Sequence, residues 1–207
     1  MALKIDDSIE TEDPALARLS VALGPIPKRG LPPVESWHPD HCGRIDIRIA
    51  ADGTWFHEGA PIRRPALVKL FSTILRREPD GSTVLVTPVE RMTITVEDAP
   101  FAAVEMAVDG EGDGRRIAFR TNVDDLVSLD DDHPIRFEER EGDGLKPYIL
   151  VRAGLWALLT RALTYDLVDL AEEREIDGTA WLGLAAGGRF HRIARAEGDA
   201  GRTAGAA

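Results

Sequence analysis

The sequence predicts an α+β fold of two similar β-hairpin/helix units, an internal structural repeat, with antiparallel sheets and helices packed on one side of them. Three observations carry this. A pattern of strand, Asp-Gly turn, short apolar stretch, amphipathic helix and further Asp-Gly turn with a strand occurs twice, over about residues 45–94 and 135–193. Apolar and polar residues alternate in stretches such as Ile45-Asp46-Ile47-Arg48-Ile49, as in a strand buried on one face. Strands do not alternate regularly with crossover helices, which argues against a nucleotide-binding parallel sheet.

The organisation read from these signals has four parts: residues 1–33 as an N-terminal helix and Pro-rich connector, 34–115 as the first β/α half, 116–196 as the second, and 197–207 as a disordered tail. Asp13-Pro14 is a helix start, with Asp as cap and Pro in the first turn. Leu16, Leu19 and Leu23 then share a helical face, and Gly24-Pro25 ends it. Pro25, Pro27, Pro32 and Pro33 make an extended connector. In the first half, Ile45–Ile49 is followed by the tight-turn signal Asp52-Gly53. Leu67, Leu70, Phe71, Ile74 and Leu75 recur at helical spacing, which predicts a helix over 67–75 with Pro65 in its first turn and Pro79 beyond its end. Asp80-Gly81 opens a hairpin of Val84–Val86 with Arg91–Val96. Phe101–Val108 and Arg116–Arg120 read as strands joined by the glycine-rich acidic turn 109–114, and 122–129 as a helical or turning segment. The second half runs through Ile135–Glu139, Asp143-Gly144 and Tyr148–Val151 into a long helix over 155–170, then Asp177-Gly178 and Ala180–Leu184.

With 207 residues, 43% of them hydrophobic, the chain can bury a core. Its formal net charge of -11 repels phosphate backbones and anionic membrane surfaces, so neither nucleic acid nor membrane is expected as a partner. One cysteine, Cys42, allows neither an intrachain disulfide nor a multi-cysteine zinc site. The opening residues turn acidic at once, unlike a secretory signal. The most apolar stretch, 148–163, is interrupted by Arg152 and Arg161 and is too short to span a bilayer. A cytoplasmic protein is expected.

Several stretches together resemble a bacterial family. They are Gly43-Arg44-Ile45-Asp46-Ile47 with Asp52-Gly53-Thr54-Trp55, Pro61-Ile62-Arg63-Arg64 with Leu70-Phe71, Leu85-Val86-Thr87-Pro88-Val89-Glu90, Val96-Glu97-Asp98-Ala99-Pro100-Phe101, Phe119-Arg120-Thr121-Asn122 and Val151-Arg152-Ala153-Gly154-Leu155. The family is the domain of unknown function numbered 1285, and the resemblance spans roughly residues 30–195. It implies a fold with repeated motifs and a signalling or regulatory role. It brings no catalytic residue and no cofactor.

Candidate residues follow from local chemistry. Arg63 and Arg64 stand just ahead of a helix N-terminus, where guanidinium groups and backbone N–H groups suit an anion; the same arginines also suit pairing with Glu58, Glu90 or Glu97. Thr87 and Glu90 flank Pro88, which cannot donate to a ladder, so they form either a hairpin corner or a ledge offered to a partner. Arg120 and Asn122 stand at a strand end, as a grip on a small polar ligand or as a cap for 123–126. Trp55 after its turn is either core or a stacking surface. His38, Asp40, His41 and Cys42 are metal-ligating types, but their spacing matches no standard site, and no metal or cofactor is predicted. No phosphate-cradling loop, nucleophile elbow or HExxH is present.

The expected function is a non-enzymatic regulatory or signalling module binding a small anionic ligand or a protein partner through Trp55, Arg63, Arg64, Thr87, Glu90, Arg120 and Asn122, in a cleft between the halves. Two alternatives stand beside it. One is a hydrolase on a small anionic substrate, with Glu90 as acid/base and an arginine as clamp. The other is a structural subunit of a larger assembly.

Overall fold

A computed structural model describes residues 30–140 and 144–196. The helix expected over 14–23, the tail from Glu197 and Asp143 of the second Asp-Gly turn lie outside them. The chain divides into two compact units, up to Glu97 and from Asp98 onward, a boundary earlier than the 115/116 division read from the sequence. Among the described residues, no helix is long and apolar enough to cross a membrane.

The first unit is one six-stranded sheet. Three strands run from its centre outward: β1 (His41–Ile49), β2 (Trp55–His57) and β3 (Ala60–Pro61). Helix α1 (Pro65–Ser72) follows. Three more strands run from the opposite edge inward: β4 (Leu75–Arg77), β5 (Thr83–Val86) and β6 (Glu90–Val96). Neighbours within each trio are antiparallel, and the two innermost strands, β1 and β6, are parallel. Alternation in β1 puts Ile45, Ile47 and Ile49 inside, where they join Trp55, Phe71, Ile74, Leu75 and Leu85 in the core.

The second unit repeats that order. β7 (Phe101–Asp109), β8 (Arg116–Thr121) and β9 (Leu126–Ser128) run outward, and β10 (Ile135–Arg140), β11 (Gly144–Arg152) and β12 (Leu155–Leu159) run inward. Again the innermost pair, β7 and β12, is parallel and the rest antiparallel. Helix α2 (Arg161–Val168) follows β12 instead of lying between the trios. A three-stranded sheet, β13 (Glu172–Ile176), β14 (Thr179–Ala186) and β15 (Arg189–Arg195), completes the unit. Its β14–β15 turn is anchored on the β7–β8 connection, where Gly187 N–H donates to the Arg115 carbonyl and Gly188 N–H to that of Asp113, each at 2.9 Å.

The predicted α+β class is therefore corrected. The protein is mostly β, with curled sheets and, among the described residues, two eight-residue helices. The expected helix over 155–170 is a strand followed by a helix. Ala153 and Gly154, at φ 40° and 74°, form a two-residue reversal that pairs Arg152 with Leu155. Leu155, Ala157 and Leu159 then point inward and Trp156 and Leu158 less so. Read linearly, the leucines of the strand and the helix merge into one helical face. The expected helix over 67–75 stops at Ser72, and Leu75 opens β4. Asp80-Gly81 joins β4 to β5, while Thr87–Val89 joins β5 to β6. Within 122–129 lies β9. The repeat is real in strand order, but it begins at His41 and Phe101.

Candidate functional site

The chain segment ahead of β1 folds back along the edge strand β4, and one arginine holds it there. Arg76, on β4, is only 8% exposed. Its guanidinium donates to the carbonyls of Val34 (2.7 Å) and Trp37 (2.8 Å) and, through Nε, to Glu78 Oε1 (2.6 Å). Register explains the company it keeps. Arg76 pairs with Val84 and Val84 with Thr93, so Arg91, two residues from Thr93, shares their face. From there Arg91 Nη1 donates to the second Glu78 oxygen at 3.1 Å. Glu78 thus bridges two guanidinium groups.

Around this bridge is a cavity of about 370 Å³, whose lining includes Glu35, His38, Arg76, Arg77, Glu78 and Arg91. Three guanidinium groups face two carboxylates, so the cavity is electropositive in a chain of net charge -11. Arg77 gives Nη1 to Thr83 Oγ1 (3.2 Å) and Arg91 gives Nη1 to Glu78. A guanidinium has five N–H donors, so both retain donors for an anion.

The residues singled out by sequence sit elsewhere. Trp55 is 1% exposed in the core of the first unit, and its Nε1 is buried with no hydrogen-bond partner among the described residues. Thr87, fully buried, spends its hydroxyl on the turn: Oγ1 accepts from Glu90 N–H (3.1 Å) and Val89 N–H (3.3 Å). Glu90 opens β6 opposite His41 and is not among the residues lining the cavity. Arg63 and Arg64 are exposed ahead of α1, with Arg64 at its N-cap without a side-chain cap bond. In the second unit, Arg120 is engaged by Glu105 and, at 2.8 Å, by Asp124. These hydrogen bonds hold the Arg120 proton more tightly than usual, and the same contact lowers the Glu105 carboxyl below its ordinary value. Asn122 Oδ1 accepts from Ala102 N–H at 3.1 Å. Thr87 and Glu90 are brought together in one turn. Among the described residues no group of three or more His, Cys, Asp or Glu side chains gathers as a metal site.

Sequence reasoning missed Arg76, Arg77, Glu78 and Arg91. A helix running to Leu75 hides the pairing of Arg76 with β5, and two of the bonds that bury Arg76 join it to residues 39 and 42 positions away. The available signal was Arg76-Arg77-Glu78 set between an apolar run and the Pro79-Asp80-Gly81 turn.

Comparison with known proteins gives a consistent picture. The DUF1285 N-terminal domain model, a domain of unknown function, matches residues 32–99, and the C-terminal domain model, a protein of unknown function, matches residues 100–193. The crystal structure of a DUF1285 family protein from Silicibacter pomeroyi DSS-3 is similar at 42% identity and a TM-score of 0.79, covering 90% of this chain and 98% of that one. A DUF1285 family protein from Shewanella baltica OS155 shows 28% identity and a TM-score of 0.47 over 59% of this chain and 90% of that one. No curated protein matches the chain.

Proposed function

The chain belongs to the DUF1285 family, and we propose that it is a non-enzymatic regulatory module that binds a small anion in the arginine cavity of its first unit. The observation that supports this reading is the electropositive cavity of about 370 Å³ on Arg77, Arg91 and His38, backed by the buried Arg76–Glu78 pair. Cavities of this size suit small molecules. Arg77 and Arg91 supply forked donors matched to carboxylate or phosphate oxygens. Glu78 is the link to the rest of the unit. An anion drawing on Arg91 competes with Glu78, and Glu78 holds Arg76, which ties down the segment at Val34 and Trp37. Occupancy would in this way be transmitted to the chain ahead of β1, the kind of coupling a regulatory module needs.

The test is calorimetric titration of the full chain with inorganic phosphate and with succinate, repeated on Arg77→Gln, Arg91→Gln and Arg63→Ala. Saturable binding that weakens at least tenfold in the first two variants and is unchanged in Arg63→Ala supports the reading. A ligand at about a hundredfold its Kd also stabilises the fold by about 2.7 kcal/mol. Binding lost only in Arg63→Ala would move the site to the arginine pair ahead of α1. Absence of binding by either anion would sink the small-anion reading.

A further inference from the structure

The second unit carries a cleft of different chemistry, about 560 Å³ in volume, between β11–β12 and α2. Leu145, Leu158 and Val168 supply apolar wall, and Lys146, Arg161 and Tyr165 supply polar groups. The two cations are not equivalent. Lys146 Nζ lies 3.1 Å from Asp98 Oδ2, so a carboxylate already answers its charge. Arg161 instead donates from Nε (3.2 Å) and Nη2 (3.0 Å) to the phenol oxygen of Tyr165. No carboxylate pairs with Arg161 among the described residues. Tyr165 itself is 58% exposed, so the cleft opens to solvent on that side.

We propose that this cleft binds a monoanionic amphiphile of the carboxylic-acid class, its carboxylate on Arg161 and its alkyl chain along Leu145, Leu158 and Val168. A planar guanidinium with no acid partner accepts a carboxylate in forked geometry. An apolar wall beside it selects a ligand with a tail, because buried methylenes add affinity that a small anion cannot gain. The cleft therefore discriminates in the opposite direction from the first unit's cavity, where charged and polar side chains dominate the lining. Its ligand does not draw on Arg77 or Arg91.

Calorimetric titration of the full chain with hexanoate, octanoate, decanoate and decan-1-ol tests this. Affinity should rise about three- to fourfold per added methylene, and decanoate should bind at least tenfold more tightly than decan-1-ol. Arg161→Gln, a surface change that leaves the core intact, should remove that preference for the acid while keeping the weak binding of the alcohol. Arg91→Gln should leave decanoate binding unchanged, which keeps this outcome separate from that of the first-unit cavity. Methyl chemical shifts of Leu145, Leu158 and Val168 should move with decanoate. Binding that ignores chain length, that survives Arg161→Gln undiminished, or that moves methyls elsewhere would overturn the assignment, as would no saturable binding of decanoate at all.

Discussion

In the first unit the charge drawn inside is a cation, Arg76, with 10% of its side chain exposed and Glu78 plus two main-chain carbonyls around it. In the second it is an anion, Asp98, 6% exposed, which accepts from Tyr148 Oη at 2.7 Å and Lys146 Nζ at 3.1 Å. Arg76 sits on β4 and Asp98 in the loop ahead of β7, and the six-stranded sheets of the two units share one order of strands, three outward and three inward around a parallel pair. The difference teaches that this pairing scheme does not dictate the polar interior. Distant residues help to meet the buried charge in each unit: Val34 and Trp37 beside the near neighbour Glu78 for Arg76, and Lys146 and Tyr148 for Asp98. The buried cation adjoins an electropositive cavity. The buried anion absorbs Lys146, so of the two cations lining the cleft Arg161 has no acid partner among the described residues.

Removing the central acid from each unit is the largest test of that contrast. Asp98→Ala leaves Lys146 and the Tyr148 hydroxyl without their shared acceptor, and a broken buried pair costs about 3–5 kcal/mol. Glu78→Ala should cost less, because Arg76 keeps the carbonyls of Val34 and Trp37. Urea denaturation of both variants measures the difference. A greater loss in Glu78→Ala would show that the carbonyls do not support the buried arginine.

Next in size is a pair of aromatic trims. Tyr148→Phe removes one oxygen and leaves Asp98 a donor short, a loss of about 1.5–3 kcal/mol for a hydrogen bond to a charged group. Trp55→Phe removes more volume, but it also removes an indole N–H that is buried without a partner among the described residues, and relief of that group offsets part of the lost packing. The smaller chemical change should therefore be the more destabilising one. The reverse order of melting temperatures would mean that the Trp55 N–H has found an acceptor in solution.

Two strand glycines sharpen the comparison further. A Cβ at Gly183 would lie 2.5 Å from the His191 carbonyl oxygen and 2.6 Å from the Phe190 ring, so Gly183→Ala must push β15 away at about 1–3 kcal/mol. At Gly43 the nearest atoms are the far end of the Met92 side chain, at 3.1 Å, which can swing aside. Gly43→Ala should stay within about 0.5 kcal/mol of the parent. Amide hydrogen exchange should show faster opening of β14 and β15 in Gly183→Ala alone.

What could be read from the sequence divides along the same lines. Period-two alternation and Asp-Gly turns are local, and Ile45–Ile49, Thr93–Val96, Phe101–Val108 and the turns at 52–53, 80–81 and 177–178 were legible from them. Strand pairing is not local. Nothing in the linear pattern says that β6 returns beside β1 or β12 beside β7, so that pattern shows a repeat but places its copies from Ile45 and Ile135. Leucines at 155, 158, 159 and 163 fit helical spacing as well as they fit a strand joined to a helix, and only the Ala153-Gly154 reversal separates the two. The arginine cavity is hidden in the sequence for a related reason. Arg63-Arg64 is a visible pair, whereas Arg76, Glu78 and Arg91 become a cluster only when β4 and β6 share a face and residues 34–39 fold over them.

The smallest expected effect is a pH dependence confined to the second unit. His191, on β15, places Nε2 3.2 Å from the Ala186 carbonyl oxygen. Burial lowers its pKa from the ordinary value near 6.5, outweighing the opposing pull of that carbonyl and of Asp131, while Arg189 adds to the lowering. A folded pKa below the unfolded one means that the unfolded chain binds more protons in the interval between them. The stability attached to neutral His191 is therefore complete above about pH 6.5 and is lost as pH falls through the folded pKa. Asp52 and Asp80 in the first unit have carboxyl groups lowered below 3.8 by bonds from Thr54 and Ser82, so their contributions fade only at much lower pH. Melting curves between pH 8 and 5 should show a shallow decline that His191→Gln flattens, and exchange protection should weaken in β14 and β15 before it changes in β1 or β6. An equal decline in the His191→Gln variant would assign the proton to another group and leave the two units alike in this respect.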